Sequence, residues 1–395
     1  MGEIERHETQ KIYGYIHRMK ASCSPAVAIA SLILAMISCQ HGPVQNTSPT
    51  AVEEFADLRK AAQAADKAGD NPQGLRAAIK MQRLLHDAPD AVEFTALAYW
   101  ANRDTQNTVR MLRLFADLGQ TDTGLLKGNV KRFAELRKLP QYQAILERFV
   151  VNQTAVCLAE PAFTLNDQNV LPEDIDYGFA SVAKEDWGRS AVLCYDLHSG
   201  VLRQRIETPP NKSLGDMALT QEGDPIVCDG DGGGVYRVVN NDLQLINDAD
   251  FISPQTPVML PDQQHILIPD YVRGVGILNL RTKLVTWLNE DGVVKVALNG
   301  VDGLYFDRGA LILTQNGTSP ECVKQLQLDK SLTQVKSAQI IERGTATLGD
   351  PTHGVIVNGF FYYIANSGWN EIDEHGNLKA GDRLTPAKIM RFKLG

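Results

Sequence analysis

The stretch SPQTPVMLPDQQHILIPDY, Ser253–Tyr271, decides the fold of this chain. A small, polar start leads into the apolar run PVML, a Pro-Asp turn follows, and a second apolar run ends in an acid and a tyrosine. Two short apolar runs on either side of a tight turn are typical of paired antiparallel strands. The stretch therefore predicts a β-hairpin with a polar entrance.

Similar stretches recur along the second half of the chain. They are LPEDIDYG from Leu171, LGDMALTQEGDPIVCD from Leu214, VDGLYFDRGALILTQN from Val301 and PTHGVIVNGFFYYIAN from Pro351. Their starts lie about 40 to 50 residues apart, which is the size of a four-stranded propeller blade. Two more strand-length runs follow most of them, as in VGILNLRTKLVTWL, and no helical stretch intervenes. We predict an all-β propeller over residues 155–395, with five countable blades.

Residues 51–150 have a helical period instead. Ala51–Asp70 places Phe55 and Leu58 on one face, and the next segments repeat this amphipathic design. The segment lengths, the placement of alanines and Pro89 resemble tetratricopeptide repeats. The predicted fold class is thus α+β and multidomain, with N-terminal helical hairpins followed by the propeller. The hairpins form either a groove for a protein partner or a spacer or cap on the propeller.

The N-terminus has the layout of an export signal. A short basic region precedes the apolar run PAVAIASLILAMIS, which ends immediately before Cys39. AMISC resembles a bacterial lipoprotein cleavage box, which implies that Cys39 carries lipid; plain secretion or an uncleaved anchor are the alternatives. Residues 1–39 are read as the signal, with Met19 as an alternative start, and residues 40–50 as a polar tether. We expect an exported protein on the periplasmic side, anchored by lipid to the outer membrane.

Composition excludes two classes of function. The formal net charge is -8, whereas a nucleic-acid partner would select a basic surface. The cysteines and histidines lack the close spacing of zinc or other transition-metal ligands. Outside the signal region the chain has four cysteines, predicted to be buried free thiols, with disulfides as the alternative: Cys157, Cys194, Cys228 and Cys322.

The repeats are similar to the superfamily of regucalcin, gluconolactonase and strictosidine-synthase-like proteins. The resemblance rests on SPQTPVMLPDQQHILIPDYVRGV, GVDGLYFDRGALILTQNG and DPTHGVIVNGFFYYIANSGW, and it covers about residues 160–395. The family has six blades, so the five countable starts imply that one blade is missing, near Gly178. Propellers close by pairing strands from the two ends of the domain. Residues 155–165 are therefore expected to lie beside the C-terminal strand, residues 387–394.

The starts of the inner strands identify candidate site residues, because these positions converge at the central channel of a propeller. They carry mainly oxygen ligands and one imidazole: Glu173, Asp216, Gln255, Asp302 and His353, with Asn316 and Asn366 at the ends of neighbouring strands. Carboxylate and amide oxygens suit a hard cation, calcium first. The alternative is a structural role: the acids form hydrogen bonds within turns, and His353 lines the channel wall with its hydrogen bonds made to neighbouring residues.

The resemblance adds specific roles. The family's lactonases hold one divalent cation with a glutamate, an asparagine and an aspartate, and the aspartate can act as general base. Matched by motif, these positions are Glu173, Gln255 in place of the asparagine, and Asp302. Two functional hypotheses follow: a metal-dependent hydrolase of lactone-like or ester substrates, or a non-catalytic propeller that recognises a protein, peptide or glycan. A degenerate structural protein is the third alternative.

Overall fold

The computed structural model describes residues 48–127, 135–165, 191–196, 198–209, 212, 214–373, 378–381 and 383–395. The predictions for Cys39, the signal, most of the tether, Glu173 and the irregularity at Gly178 lie outside these residues.

Helices occupy the N-terminal part of the described chain. Each begins at a residue suited to that position: Thr50 caps the first helix and forms a capping box with Glu53, and Asp70 and Asp104 cap two others. Pro89 is the first residue of its helix, where its missing N–H costs nothing. The bounds are α1 Ala51–Ala68, α2 Asn71–Leu84, α3 Pro89–Ala101, α4 Thr105–Asp117, α5 Thr123–Lys127 and α6 Pro140–Gln153, with a 3-10 turn at Leu136–Lys138.

Strands follow, and they form five sheets among the described residues. The first strands are β1 Val156–Cys157, β2 Glu160–Thr164, β3 Ala191–Tyr195, β4 Leu202–Glu207, β5 Leu214–Leu219, β6 Pro225–Asp229, β7 Val235–Val239, β8 Asp242–Asn247, β9 Val258–Met259 and β10 His265–Asp270. The remaining strands are β11 Gly274–Asn279, β12 Val285–Trp287, β13 Val301–Asp307, β14 Ala310–Gln315, β15 Cys322–Leu328, β16 Val335–Arg343, β17 Gly354–Val357, β18 Phe360–Ile364 and β19 Lys388–Lys393.

The sheets follow one another along the chain as blades, and every recorded strand pair is antiparallel. β3–β4 is the described part of the first blade, β5–β8 the second, β9–β12 the third, β13–β16 the fourth and β17–β19 the fifth. Neighbouring blades pack through apolar faces: Val192 and Ile206 of the first contact Val227 and Val238 of the second. The predicted fold class, helices followed by a propeller with five countable blades, is confirmed.

The predicted closing strand is present but divided. β2 pairs with β19, so that Phe163 lies opposite Ile389 and a strand from the start of the domain joins the last blade. β1, only two residues earlier in the chain, pairs instead with β16 of the fourth blade. The segment thus ties the fourth and fifth blades together.

The helices pack directly on the propeller. Ala51 donates its N–H to Ala249 O at 2.8 Å, and Thr121 donates to Ser319 O at 2.7 Å. Ile252 of the propeller joins the buried cluster of the first three helices. This packing is the arrangement expected of a cap on the propeller.

The four described cysteines are free thiols, as predicted, but only two are buried. Cys228 and Cys322 lie inside blades, whereas Cys157 and Cys194 are exposed, so the prediction of four buried thiols is wrong. Cys157 ends the two-residue β1, and Cys194 lies at the exposed end of β3, next to the shift in its pairing with β4. In the described part of the chain, no helix is long and apolar enough to cross a membrane.

Candidate functional site

Four blades contribute a residue to one polar cluster at the start of their inner strands. Asp216 lies in β5, Thr256 just before β9, Asp302 in β13 and His353 just before β17. The Thr256 hydroxyl is 2.8 Å from Asp216 Oδ2, 2.7 Å from the Asp302 carbonyl oxygen and 2.9 Å from His353 Nε2. We call these four residues the channel cluster.

The hydrogen-bond partners of Thr256 favour one tautomer of His353. A threonine hydroxyl has one hydrogen to donate, and here two oxygen acceptors already compete for it. A hydrogen on His353 Nε2 suits this arrangement, because it would face the Thr256 oxygen and Asp216 Oδ1, 3.3 Å away. The imidazole is almost fully buried, with only 5% of its side chain exposed, so this donor is held in a fixed direction.

The channel cluster is not a hydrolase triad. In a triad the carboxylate binds one imidazole nitrogen while the hydroxyl faces the other. Here Asp216 and the Thr256 hydroxyl both face Nε2. Thr256 is therefore a poor candidate for a nucleophile, because the arrangement gives His353 no free nitrogen on the hydroxyl side to take its proton.

The environment of Asp302 changes its proton affinity. Burial raises the pKa of its carboxyl to about 6, with smaller contributions in the same direction from Asp216 and Asp350. The charge of His353 and a 3.0 Å hydrogen bond from Asn316 Nδ2 to Asp302 Oδ2 oppose this rise. A carboxyl with a pKa near neutrality can both take and return a proton at physiological pH.

Both acids lie where the pairing of their strands is irregular. The pairing of β5 with β6 shifts register between Leu214 and Met217, and that of β13 with β14 shifts between Val301 and Gly303. Asp216 and Asp302 lie in these two irregularities, and a bulge redirects the side chain that it carries. Glycine is required at position 303, since a Cβ there would come within 2.7 Å of the Thr314 hydroxyl.

The other predicted site residues divide into two groups. Asn316 lies beside Asp302, and its Oδ1 accepts a 2.9 Å hydrogen bond from the Tyr271 hydroxyl. Asn366 instead accepts the Lys388 N–H at 2.7 Å and donates to Pro386 O at 3.2 Å. Its two recorded bonds thus hold the entrance of β19.

Gln255 points to its own turn. Its Nε2 donates to the Ser253 hydroxyl at 3.1 Å and to the Ser253 carbonyl at 3.3 Å. The next residue, Thr256, reaches the channel cluster in its place. Sequence reasoning missed Thr256 and Tyr271, although both stand in the stretch that revealed the repeat. Their positions at the entrance and exit of the hairpin could have identified them as candidates.

The described residues supply acids to the channel without completing a metal site. Among them, no group of three or more histidine, cysteine, aspartate or glutamate side chains is arranged to hold a metal ion. Of the three predicted ligands, the structure describes Gln255 and Asp302, and only Asp302 belongs to the channel cluster. Asp302 is therefore the one predicted carboxylate ligand that the structure describes in the channel cluster.

The strand pairing defines the chain as a β-propeller protein with an N-terminal helical region. No protein-family model matches it, and no curated protein does so. It is similar to a solved chain of a nidogen/laminin complex, at 13% identity over 43% of this chain and 65% of that chain, with a TM-score of 0.35.

Two further solved structures are similar over about half of the chain. The luciferin-regenerating enzyme is 14% identical over 53% of this chain and 72% of that chain, with a TM-score of 0.37. Virginiamycin B lyase from Staphylococcus aureus is 12% identical over 45% of this chain and 56% of that chain, with a TM-score of 0.33. The chain spans less than two thirds of the nidogen/laminin and virginiamycin B lyase chains.

Proposed function

We propose that the channel cluster is the acid–base centre of a hydrolase that acts on lactone-like or small ester substrates. One observation carries the proposal: residues from four blades, Asp216, Thr256, Asp302 and His353, meet around a single hydroxyl. Such convergence costs folding free energy, because it brings together carboxyl groups that repel one another when ionised, and a purely structural channel would not need it.

In the proposed reaction Asp302 acts as the general base. Its ionised carboxylate takes a proton from a water molecule whose oxygen attacks the acyl carbon. The tetrahedral intermediate then loses the alkoxide, and the proton on Asp302 passes to that leaving oxygen. A lactone opens to a hydroxy acid, and an ester gives an acid and an alcohol. The Nε2–H of His353 would have to turn from Thr256 and Asp216 to donate to the oxyanion.

A divalent cation is the finer part of this proposal. Calcium or a similar ion would be held by Asp302 and Glu173, with Gln255 as a weak third partner. The support is the resemblance of the inner-strand starts and the oxygen donors they carry. When bound, the cation would polarise the substrate carbonyl. Gln255 would have to leave its hydrogen bonds to Ser253 to take part.

A binding propeller is the second candidate. It is favoured by the helices, which pack against Ile252 and Val272 on turns next to Thr256 and Tyr271. In this alternative the channel and helices together recognise a protein, peptide or glycan. For either function we propose export to the periplasmic side with a lipid at Cys39, a small-molecule or protein partner and no nucleic-acid partner.

The decisive experiment is a panel of γ-lactones, δ-lactones and aryl esters tested with and without added calcium. Asp302→Asn and His353→Gln should each lower turnover by roughly 100-fold or more, as expected when a general base or a fixed donor is removed. Asp242→Asn is the matched control, because that acid is exposed at the start of β8. Absence of turnover by the wild-type protein on the whole panel would favour the binding propeller.

A further inference from the structure

The turn after β10 is held by one buried carboxylate. Asp270 is fully buried, and its Oδ2 accepts the N–H groups of Ile252 at 2.5 Å and Ser253 at 3.2 Å. Its Oδ1 accepts the N–H groups of Val272 at 2.9 Å and Arg273 at 3.0 Å. Asp270 therefore fastens the turn at 271–273 to the segment that enters the third blade.

One side of this turn contacts the helices. Val272 packs into the cluster shared by Ile252 and the first three helices. Arg273 Nη2 lies 3.0 Å from Nε2 of His86, in the turn between α2 and α3. The Arg273 guanidinium is 4.3 Å from the centre of the Trp287 ring, and the His86 ring stacks on the same indole at 4.7 Å.

The protonation of His86 suits this contact. Partial loss of water around the ring and, next, the charge of Arg273 lower the pKa of His86 to about 4. The imidazole is therefore neutral at physiological pH, and its Nε2 can accept the hydrogen bond from Arg273. The helices and the propeller are thus joined by a charge-assisted hydrogen bond as well as by apolar contact.

The other side of the turn contacts the channel through Tyr271. Its hydroxyl donates to Asn316 Oδ1 at 2.9 Å, and Asn316 Nδ2 donates to Asp302 Oδ2 at 3.0 Å. An amide whose oxygen accepts from Tyr271 must present its N–H groups on the opposite side, towards Asp302. The Tyr271 backbone is itself bonded to Ser253 and Gly300, at 2.9 and 2.7 Å.

We propose that Tyr271 is a positioning residue for Asp302, and that the helical region holds Tyr271 in place through the turn from Asp270 to Arg273. The inference deepens the proposed function and depends on it only for the role given to Asp302. It makes the helical region part of the site's support. His86 contacts Arg273 and the Asn316 amide contacts Tyr271, and these two residues belong to the same turn.

The test observes the Asn316 side-chain amide directly. The protein is labelled with 15N-asparagine, and the Asn316 NH2 signals are assigned from their loss in Asn316→Asp. Tyr271→Phe removes only the hydroxyl and should shift or broaden these signals. Arg273→Gln should change them in the same way, although its side chain does not contact Asn316.

Two further variants separate positioning from general stability. Arg273→Lys keeps a cation beside Trp287 and a donor for His86, so it should restore much of the wild-type signal. Arg391→Gln is the matched control, because Arg391 also lies over an aromatic ring, Phe360 at 5.1 Å, but on the fifth blade. The control should leave the Asn316 signals unchanged. If Arg273→Gln does not fold, His86→Ala removes the same hydrogen bond from the helical side.

The outcomes are distinguishable from those of the hydrolase assay. Unchanged Asn316 signals in Tyr271→Phe would overturn the positioning role. A change in Tyr271→Phe with none in Arg273→Gln or His86→Ala would overturn the link to the helices. Changes in all three, together with an absence of lactone or ester turnover, would support the positioning link while the proposed reaction fails.

Discussion

The Thr256 hydroxyl lies 2.9 Å from Nε2 of His353, although the two residues are 97 positions apart. This contact joins the entrance of the third blade to that of the fifth. The same hydroxyl reaches Asp216 Oδ2 and the Asp302 carbonyl, so one small side chain bonds to three other blades. The packing of the ring around its channel therefore depends on a group that contributes little to any single sheet.

Thr256→Val should destabilise the protein by about 1 to 3 kcal/mol, because an isosteric methyl leaves partly buried polar groups without their partner. Urea denaturation should show a lower midpoint with an unchanged slope. Thr282→Val, in an exposed turn, is the control and should stay close to the wild-type midpoint. Equal midpoints for both variants would mean that water replaces the hydroxyl at no cost.

The raised pKa of Asp302 predicts a pH-dependent effect of Asp302→Asn. The native state binds a proton at Asp302 up to a pH of about 6, whereas the unfolded chain releases it near pH 3.8. The stability that this group contributes is therefore complete below about pH 4 and is lost as pH rises through about 6.

Asp302→Asn removes this dependence. The unfolding free energy of the variant should rise relative to that of the wild type between pH 4 and 7, by about 2 to 3 kcal/mol for a shift of this size. Unfolding free energies measured in the presence of a chelator at several pH values would check it. Asp57→Asn, on the exposed surface of α1, is the control. A difference between Asp302→Asn and the wild type that is constant with pH would contradict the assigned shift.

The closing strand can be tested by cross-linking. Phe163 and Ile389 are directly opposite each other in the β2–β19 pair. In a variant whose native cysteines are replaced by serine, Phe163→Cys with Ile389→Cys should form a disulfide under mild oxidation, because facing positions in antiparallel strands have suitable Cβ separation. Mass spectrometry of the cross-linked peptide and a higher urea midpoint are the expected results. Phe163→Cys with Lys393→Cys, four positions further along β19, should cross-link poorly; equal yields would indicate another register.

Lipid attachment at Cys39 is a prediction from the sequence. Mass spectrometry of protein from the membrane fraction of a bacterial host should show a lipidated N-terminal peptide that begins at Cys39. Cys39→Ser should release the chain from that fraction or leave its signal uncleaved. An unmodified Cys39 in a soluble wild-type protein would refute the prediction, and Cys157→Ser serves as the matched cysteine control.

The arrangement of helices and blades could be predicted because it depends on local periodicity. Hairpins recur at blade spacing from Leu214 onward, and each contains its own turn residues and apolar alternation. The pairing of residues 155–165 with the last strand also followed from the need to close the ring. The division of that segment between β19 and β16 did not, because it depends on how the end of α6 places Val156 beside Arg343.

The repeats in the sequence predicted the region of each blade that enters the channel, and so brought Asp216, Asp302 and His353 into consideration together. The assembled ring selects Thr256, rather than Gln255, as the third blade's contribution. Successive side chains in an extended segment point in opposite directions, so a one-residue difference exchanges the channel for the turn. Local sequence does not specify that choice, because it is made by contacts with three other blades, and those contacts exist only once the ring has assembled.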